Sequence, residues 1–441
     1  MAASVFDSPL YADLFPTSEA GRLFSDSASI RAMLLVEGAL AKAQGQLGII
    51  PEISAAAIHR ASLEVQIDPG SIAQPTGQNG VCVPGLVTVF RAEMNAPEHA
   101  QFVHWGATSQ DIIDSALMLR LRQTLALAED DLRGILSELA DQAERHAEVP
   151  MAARTYGQPA TPTTWGAVLA GWGNPLADAL EAMPGLRSGS LWVSLGGAAG
   201  TASALGDDPM ALRLALAESL GLVDPKRSWH TDRGPILRIT DWMAQVIATL
   251  GAMGSSLMDL ASAGTEEVRF GAVGQSSTMP QKQNPVAASA LVALSHQSSG
   301  LRAGLSAASV HQHQRDGAAW FAEWMLVPQM ALSVISSLKI AHGLAKTTEP
   351  RPTQMASKVD SGLGLIYAEA LSFALAGIRS RPEAQALTKE LCAQAAAEGR
   401  PLSEVAQAAL PDLPDDVFSA AAQWGQAPDD ARSFAARVRA L

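Results

Sequence analysis

Between residues 274 and 285 the chain reads Gly-Gln-Ser-Ser-Thr-Met-Pro-Gln-Lys-Gln-Asn-Pro. Two adjacent hydroxyls, Ser276 and Ser277, precede the ammonium of Lys282 and the amide of Asn284. Pro280 and Pro285 fix φ and restrict the residues before them. Gly271 and Gly274 permit hinge-like backbone. Such a loop offers a hydroxyl, a cation and an amide to one point. A serine acts as a base only where its alkoxide is stabilised by N–H groups and a nearby cation. Lys282 suits that role, or it neutralises a substrate carboxylate. Composition alone is equally consistent with an ordinary polar loop between helices.

Other polar clusters carry less. Thr108-Ser109-Gln110-Asp111 is what a helix start wants, with Thr or Ser as N-cap. His311 and His313 resemble a ligand pair, but no carboxylate or cysteine completes a metal set. Alternate residues on a helix also point apart, so a polar rim is expected there. Gly196-Gly197-Ala198-Ala199-Gly200 lacks the spacing of a dinucleotide loop, and no Gly-Lys-Ser/Thr follows, so it is not read as a phosphate cradle. Trp320 and Trp324 are expected in the core.

Helical periodicity supplies the elements that position these groups. Ile113, Leu117, Leu121, Leu125, Ala128, Leu132, Ile135 and Leu139 step by three or four, which draws one apolar stripe down a helix. About 36 residues at ~1.5 Å each predict a rod of roughly 54 Å. Pro150 follows its end. A second stripe runs through Met243, Val246, Ile247, Leu250, Met253, Leu257 and Leu260, and a third starts after Pro285 through Leu291, Leu294 and Leu301. Helical patterns also fill 319–345 and 361–377. Residues 81–90 read as a short β-like run. Long helices without intervening strands predict an all-α protein, a central bundle of long helices with smaller N- and C-terminal helical domains. The expected divisions are 1–105, 106–350 and 351–441, the last beginning after Glu349-Pro350-Arg351-Pro352.

Composition narrows the class. The chain has 441 residues, 48% of them hydrophobic and only 17% charged, against a usual charged share of about 25%. Low charge points to much hidden surface, inside the fold or between subunits. A net charge of −13, with no dense Lys/Arg run, argues against a nucleic-acid partner. Cys82 and Cys392 sit in no zinc or disulfide pattern. The first 21 residues hold no Lys or Arg, and the uncharged stretches 69–90, 155–177 and 188–206 are broken by polar residues, Gly and Pro. No signal peptide or membrane span is expected, and a cytoplasmic protein is.

Three segments carry a resemblance. Gly274–Pro285 resembles the signature loop of the fumarase/aspartase superfamily, Gly-Ser-Ser-x-Met-Pro-x-Lys-x-Asn-Pro, departing from it at Gln275. His104-Trp-Gly-Ala-Thr-Ser-Gln-Asp111 is similar to the family's Thr-Ser segment. Arg154-Thr-Tyr-Gly-Gln-Pro-Ala-Thr-Pro-Thr163 is similar to its second segment, Thr-His-x-Gln-x-Ala-x-Pro-x-Thr. The segments occur in family order over residues 104–285. The resemblance implies that Ser276 transfers a proton at carbon. It further implies that Lys282, Asn284, Thr108 and Ser109 hold a substrate carboxylate, with the 108–109 pair near a helix N-terminus. His104, Tyr156, Gln158 and Arg315 would line the substrate. For Arg315 a surface ion pair with Asp316 or Glu323 stands as the equal alternative.

Within the superfamily several stretches look like the bacterial 3-carboxy-cis,cis-muconate cycloisomerases. They are the 104–111 segment, Ser194-Leu-Gly-Gly-Ala-Ala-Gly-Thr, Trp229-His-Thr-Asp-Arg, the Arg315…Trp320…Glu323-Trp324 stretch and Arg31-Ala-Met-Leu-Leu-Val-Glu-Gly-Ala-Leu-Ala. Adenylosuccinate lyase, the other branch considered, carries histidine where this chain has Tyr156, and a further histidine upstream. A leaving amine or hydroxide needs a proton, which histidine can supply or support. A leaving carboxylate, with a pKa of about 4, does not. Tyr156 therefore agrees with lactone chemistry, with elimination of a weakly basic anion such as nitrite or sulfite, or with a merely packing side chain.

What the resemblance implies is an isomerase that joins a carboxylate of a muconate to its own double bond. Its substrate is a small tricarboxylate, or a sulfonate analogue, and it uses no cofactor and no metal. Family members are homotetramers whose sites collect the three segments from three subunits, so the three segments of one chain are not expected to meet.

Overall fold

The stripe from residue 113 to 139 lies on a single helix, Ser109–Arg145. Leu117, Leu121, Leu125, Ala128, Leu132, Ile135 and Leu139 are all buried, and Ile113 is half-buried. The second stripe is buried throughout on Gly234–Leu260, and Leu291 and Leu294 are buried on Val286–Ala308. Truncating one such side chain, as in Leu121→Ala, costs about 2–5 kcal/mol because the neighbours relax only partly. The fourth long helix, Gly317–Thr347, is long and apolar enough to cross a membrane, yet 61% of its most apolar window is buried inside the protein. Met330, Ala331, Val334, Ile335 and Leu338 supply that buried face.

The computed structural model describes residues 4–271, 274, 275, 279 and 282–441, with Gln275 by backbone alone. The protein is all-α. Among the described residues the strands form three short antiparallel pairs. Pro150–Thr155 pairs with Gln158–Thr164, Val268–Phe270 with Thr348–Pro350, and Gly274–Gln275 with Gln283–Asn284.

The β-like reading of 81–90 is corrected: Val83–Glu93 is an α-helix. Pro84 sits in its first turn, where a missing N–H costs nothing. Val83, Leu86, Val87 and Phe90 are buried at helical spacing. Four valines made the short apolar run 81–90 look extended, and the i, i+3, i+4, i+7 spacing decided otherwise.

Contacts divide the chain into two compact units. The first holds Met1–Asp131, Ala179–Ala248 and Ala293–Lys339. There the helix Asp26–Gln46 packs against Glu52–Glu64 and Pro209–Leu220. The second holds Leu132–Asp178, Thr249–Val292 and Ile340–Leu441. Its C-terminal part has its own core, built on Leu371, Leu375, Leu391, Leu402 and Val405.

Candidate active site

The first unit builds the Thr-Ser segment from both sides. His104 takes a positive φ of 63° and Gly106 one of 74°. A Cβ on Gly106 would stand 2.2 Å from the carbonyl oxygen of Ala204, so only glycine fits this turn. The helix Asp26–Gln46 holds the turn with two side chains seven residues apart, hence on one face. Glu37 Oε1 lies 2.7 Å from His104 Nδ1, and Gln44 Nε2 donates to the carbonyl of Trp105 at 2.7 Å. Burial works against a charged His104, but the charge and hydrogen bond of Glu37 outweigh it, leaving its pKa raised.

Helix Ser109–Arg145 then begins with Ser109, half-buried, in its first position. Thr108 precedes it, and its N–H donates to Asp111 Oδ2 at 3.1 Å. That is the carboxylate half of a capping box. The hydroxyl of Thr108 accepts from Arg315 Nη2 at 2.9 Å. Arg315 also donates through Nε to Gln110 Oε1 at 3.0 Å and through Nη2 to the Ala198 carbonyl at 3.2 Å. Among the described residues no carboxylate pairs with Arg315. The two acids weighed as its partners are otherwise engaged. Asp316 caps the next helix, accepting from the N–H groups of Ala318 and Ala319. Glu323 belongs to Arg233.

Asp111, 1% exposed, gathers five donors. Its Oδ1 accepts from Gly196 N and His230 Nε2 at 2.8 Å each and from Ser194 Oγ at 3.4 Å. Its Oδ2 accepts from Gly197 N at 2.9 Å and from Thr108. The Gly-Gly stretch thus wraps a carboxylate of its own chain. Behind it lies a buried ion cluster. Arg233 forks onto Glu323 through Nε and Nη2, both at 2.7 Å, and onto Asp114 through Nη1 at 2.8 Å and Nη2 at 3.2 Å. Trp320 Nε1 donates to Asp114 Oδ1 at 3.2 Å, and the Trp229 ring lies 4.8 Å from the guanidinium carbon of Arg233. Burial opposes the charge of Arg233, and the two acids more than restore it. Burial also lifts Glu323 above the ordinary carboxylate range despite Arg233. Gln110 links this cluster to the surface, since its Nε2 donates to Asp114 Oδ2 and the His230 carbonyl while its Oε1 holds Arg315.

The polar-rim expectation for the two histidines is corrected for His311. Residues 311–313 form a loop, not a helix. The His311 side chain is wholly buried 3.9 Å from Glu323, with its pKa lowered by burial and by Arg233. His313 is exposed, at a φ of 55°. Trp320 is core, as expected, at 1% exposure.

The second unit holds the remaining expected residues. Tyr156 and Gly157 are the two turn residues of the 150–164 hairpin, at φ of 51° and 72° with Thr155 opposite Gln158. Positive φ at both positions is the turn that matches strand twist. Gln158 is exposed, and Tyr156 is fully exposed at 104%, so it packs on nothing among the described residues. Two residues before the turn, Arg154 pairs with the buried Glu267 at 2.7 Å. The signature loop has a two-residue neck, Gly274 opposite Asn284 and Gln275 opposite Gln283. Asn284 is half-buried and Lys282 is exposed, with its N–H donating to the Met279 carbonyl. Ser276 lies outside the described residues.

The structure therefore joins Thr108 and Arg315 directly and sets Ser109 beside them, with His104 four residues upstream. Tyr156, Gln158, Lys282 and Asn284 belong to the other unit. Glu37, Asp111, His230 and Arg233 were present in the motifs but were given no role, Asp114 lay outside them, and Glu323 was weighed only as a partner of Arg315. Their signal is pairing between distant positions, which spacing along one chain does not display.

An all-α protein with a long-helix N-terminus beside an arginine that has no carboxylate partner among the described residues is the frame of an enzyme that handles carboxylates. A family model described as lyase matches residues 15–300. The chain belongs to this lyase family, the fumarase/aspartase superfamily. Among its relatives, the 3-carboxy-cis,cis-muconate cycloisomerase of Pseudomonas aeruginosa is 37% identical over 388 residues, covering 87% of this chain and 84% of that protein. The enzyme of the same name from Pseudomonas putida is 36% identical over 399 residues, covering 89% and 94%. The crystal structure of the 3-carboxy-cis,cis-muconate lactonizing enzyme from Pseudomonas putida matches with a TM-score of 0.90 at 32% identity, covering 98% of this chain and 99% of that one.

Proposed function

We propose that this chain is a cycloisomerase that converts 3-carboxy-cis,cis-muconate reversibly to 4-carboxymuconolactone, in the catabolism of aromatic acids. The observation that carries the reading is Arg315, a cation without a carboxylate partner among the described residues, hydrogen-bonded to Thr108 at the head of a 37-residue helix. That arrangement favours an anionic substrate group. The name shared by the relatives set out above supports the muconate over purine or nitro substrates.

In the lactonising direction one substrate carboxylate attacks a carbon of the conjugated double bond and a C–O bond forms. The π electrons move into a second carboxylate, which becomes an enediolate. Thr108, Ser109, Lys282, Asn284 and Arg315 hold the groups that carry this charge, preorganised rather than solvated. Ser276 then delivers its proton to carbon and regains one from water. In the reverse direction the leaving group is a carboxylate, which departs without an acid. His104, Tyr156 and Gln158 shape the substrate's surroundings. The chemistry asks for no metal or organic cofactor, because the activating carboxylate is on the substrate.

We propose further that the chain works as a homotetramer in the cytoplasm, with sites completed between subunits. The fully exposed Tyr156 at a hairpin tip and the low charge content support this.

Product counting tests the reaction class. With 3-carboxy-cis,cis-muconate in D2O, NMR should show one product holding every substrate carbon and one new C–D bond. Release of a second fragment, such as fumarate or an inorganic anion from a succinyl compound, would make the enzyme a lyase instead.

A further inference from the structure

A cavity of about 380 Å³ lies in the first unit, between the helices Asp26–Gln46, Ser109–Arg145 and Pro209–Leu220. Arg31, Arg120, Arg122 and His59 line it, and among the described residues no Asp or Glu does. This is unusual in a chain of net charge −13. Each guanidinium is oriented by neutral oxygens only. Arg31 donates to the Ser62 carbonyl at 2.7 Å, Arg120 to Ser29 Oγ at 2.6 Å, and Arg122 to the Gly221 carbonyl at 2.8 Å. None of the three is ion-paired among the described residues. Burial without a carboxylate partner pulls Arg120 down to about 10, which still leaves it cationic at neutral pH. His59 adds a ring whose Nδ1 is buried with no hydrogen-bond partner among the described residues. The rest of the wall includes Leu35 and Leu119.

We propose that this cavity is a second anion site that takes a small organic polycarboxylate. Planar guanidinium forks match carboxylates in bidentate fashion. The apolar wall suits a carbon skeleton, and the volume sits within the range of small-molecule pockets and well above what one inorganic oxyanion fills. The site is separate from the candidate active site. None of its lining residues belongs to that site, and Arg120 lies 12 residues beyond Thr108 on the same helix, about 18 Å along its axis. Three half-buried like charges repel one another across the cavity, so a bound polyanion stabilises the fold around it. The proposal does not depend on the reaction assigned above.

The test uses the full chain with tricarballylate, a saturated tricarboxylate with no double bond to attack, and inorganic phosphate as the competing anion. Thermal unfolding and titration calorimetry read binding. Tricarballylate should raise the unfolding midpoint saturably and bind at least tenfold tighter than phosphate. Arg31→Gln and Arg122→Gln should each weaken it about tenfold or more while leaving muconate turnover unchanged. Arg31→Lys keeps the charge but loses the fork, so it should weaken binding with the fold intact even if Arg31→Gln unfolds. Lys282→Ala should leave binding in place. Unaltered binding in Arg31→Lys and Arg122→Gln, loss of binding in Lys282→Ala, phosphate binding as tight as tricarballylate, or no saturable binding would each overturn the proposal.

Discussion

Arg315 and Thr108, 207 residues apart, meet at 2.9 Å through guanidinium and hydroxyl. Thr108 was expected to hold a substrate carboxylate, and Arg315 either to face one or to form a surface ion pair, and one chain brings the two to a single spot. The shared bond orients the guanidinium without neutralising it. Arg315→Lys should therefore keep the charge, lose the fork and lower kcat/KM by about tenfold or more, while Arg315→Met should cost about a hundredfold or more. Arg315 is exposed, so either variant should change the unfolding midpoint little. Steady-state kinetics beside thermal melts checks this. A full-rate Arg315→Met would remove the residue from the site.

The His104–Glu37 pair predicts a pH dependence. Its pKa in the fold is raised above the ordinary 6.5. The stability it adds is complete below pH 6.5 and is lost as pH rises through the higher folded value. In His104→Gln that decline should be missing. Glu37 is 2% exposed, and the variant leaves it buried with no imidazolium beside it. It should be destabilised by about 3–5 kcal/mol at pH 6. Denaturant titrations across pH 5.5–8.5 read both effects, and parallel curves for the two proteins would refute the pairing.

Arg233 is the keystone of the buried cluster, since two acids face it. Arg233→Met strands both, and should cost about 3–5 kcal/mol in unfolding free energy. Adding Asp114→Asn and Glu323→Gln should recover part of it, because the stranded charges are then gone. No recovery in the triple variant would mean that packing around Trp229 and Trp320, rather than charge, sets the cost.

The long helices were legible because only a helix sustains a 3.6-residue apolar period over many turns, and the Leu117–Leu139 stripe is buried along its whole length. The short helix Val83–Glu93 was not, because so short a run of buried positions, rich in valine, cannot by itself separate helix from strand. The Thr-Ser and signature segments were legible as types and order of polar residues. Their supports were not. Asp111 reads as one more residue of a helix start until the fold brings Gly196, Gly197 and His230 to it. The same holds for Arg233, whose partners lie 119 and 90 residues away. Tyr156 read as an active-site departure from histidine, and nothing in its type announced a turn residue with positive φ.

That placement sharpens the expectation for Tyr156. A leaving carboxylate needs no acid, so Tyr156→Phe should cost less than about 1.5 kcal/mol in transition-state stabilisation, around tenfold in rate. Because the ring is fully exposed within its own chain, unfolding of the dissociated chain should not change. Abolished turnover with intact binding would make Tyr156 an acid and favour a lyase with a basic leaving group.

An ultraviolet assay reads the reaction itself. Purified protein is offered 3-carboxy-cis,cis-muconate, unsubstituted cis,cis-muconate, a sulfomuconate and adenylosuccinate in parallel. The conjugated-diene absorbance should be lost with the carboxylated muconate, at a kcat/KM at least tenfold above the other muconates, and adenylosuccinate should give no change. Turnover of adenylosuccinate with inert muconates would contradict the proposed reaction.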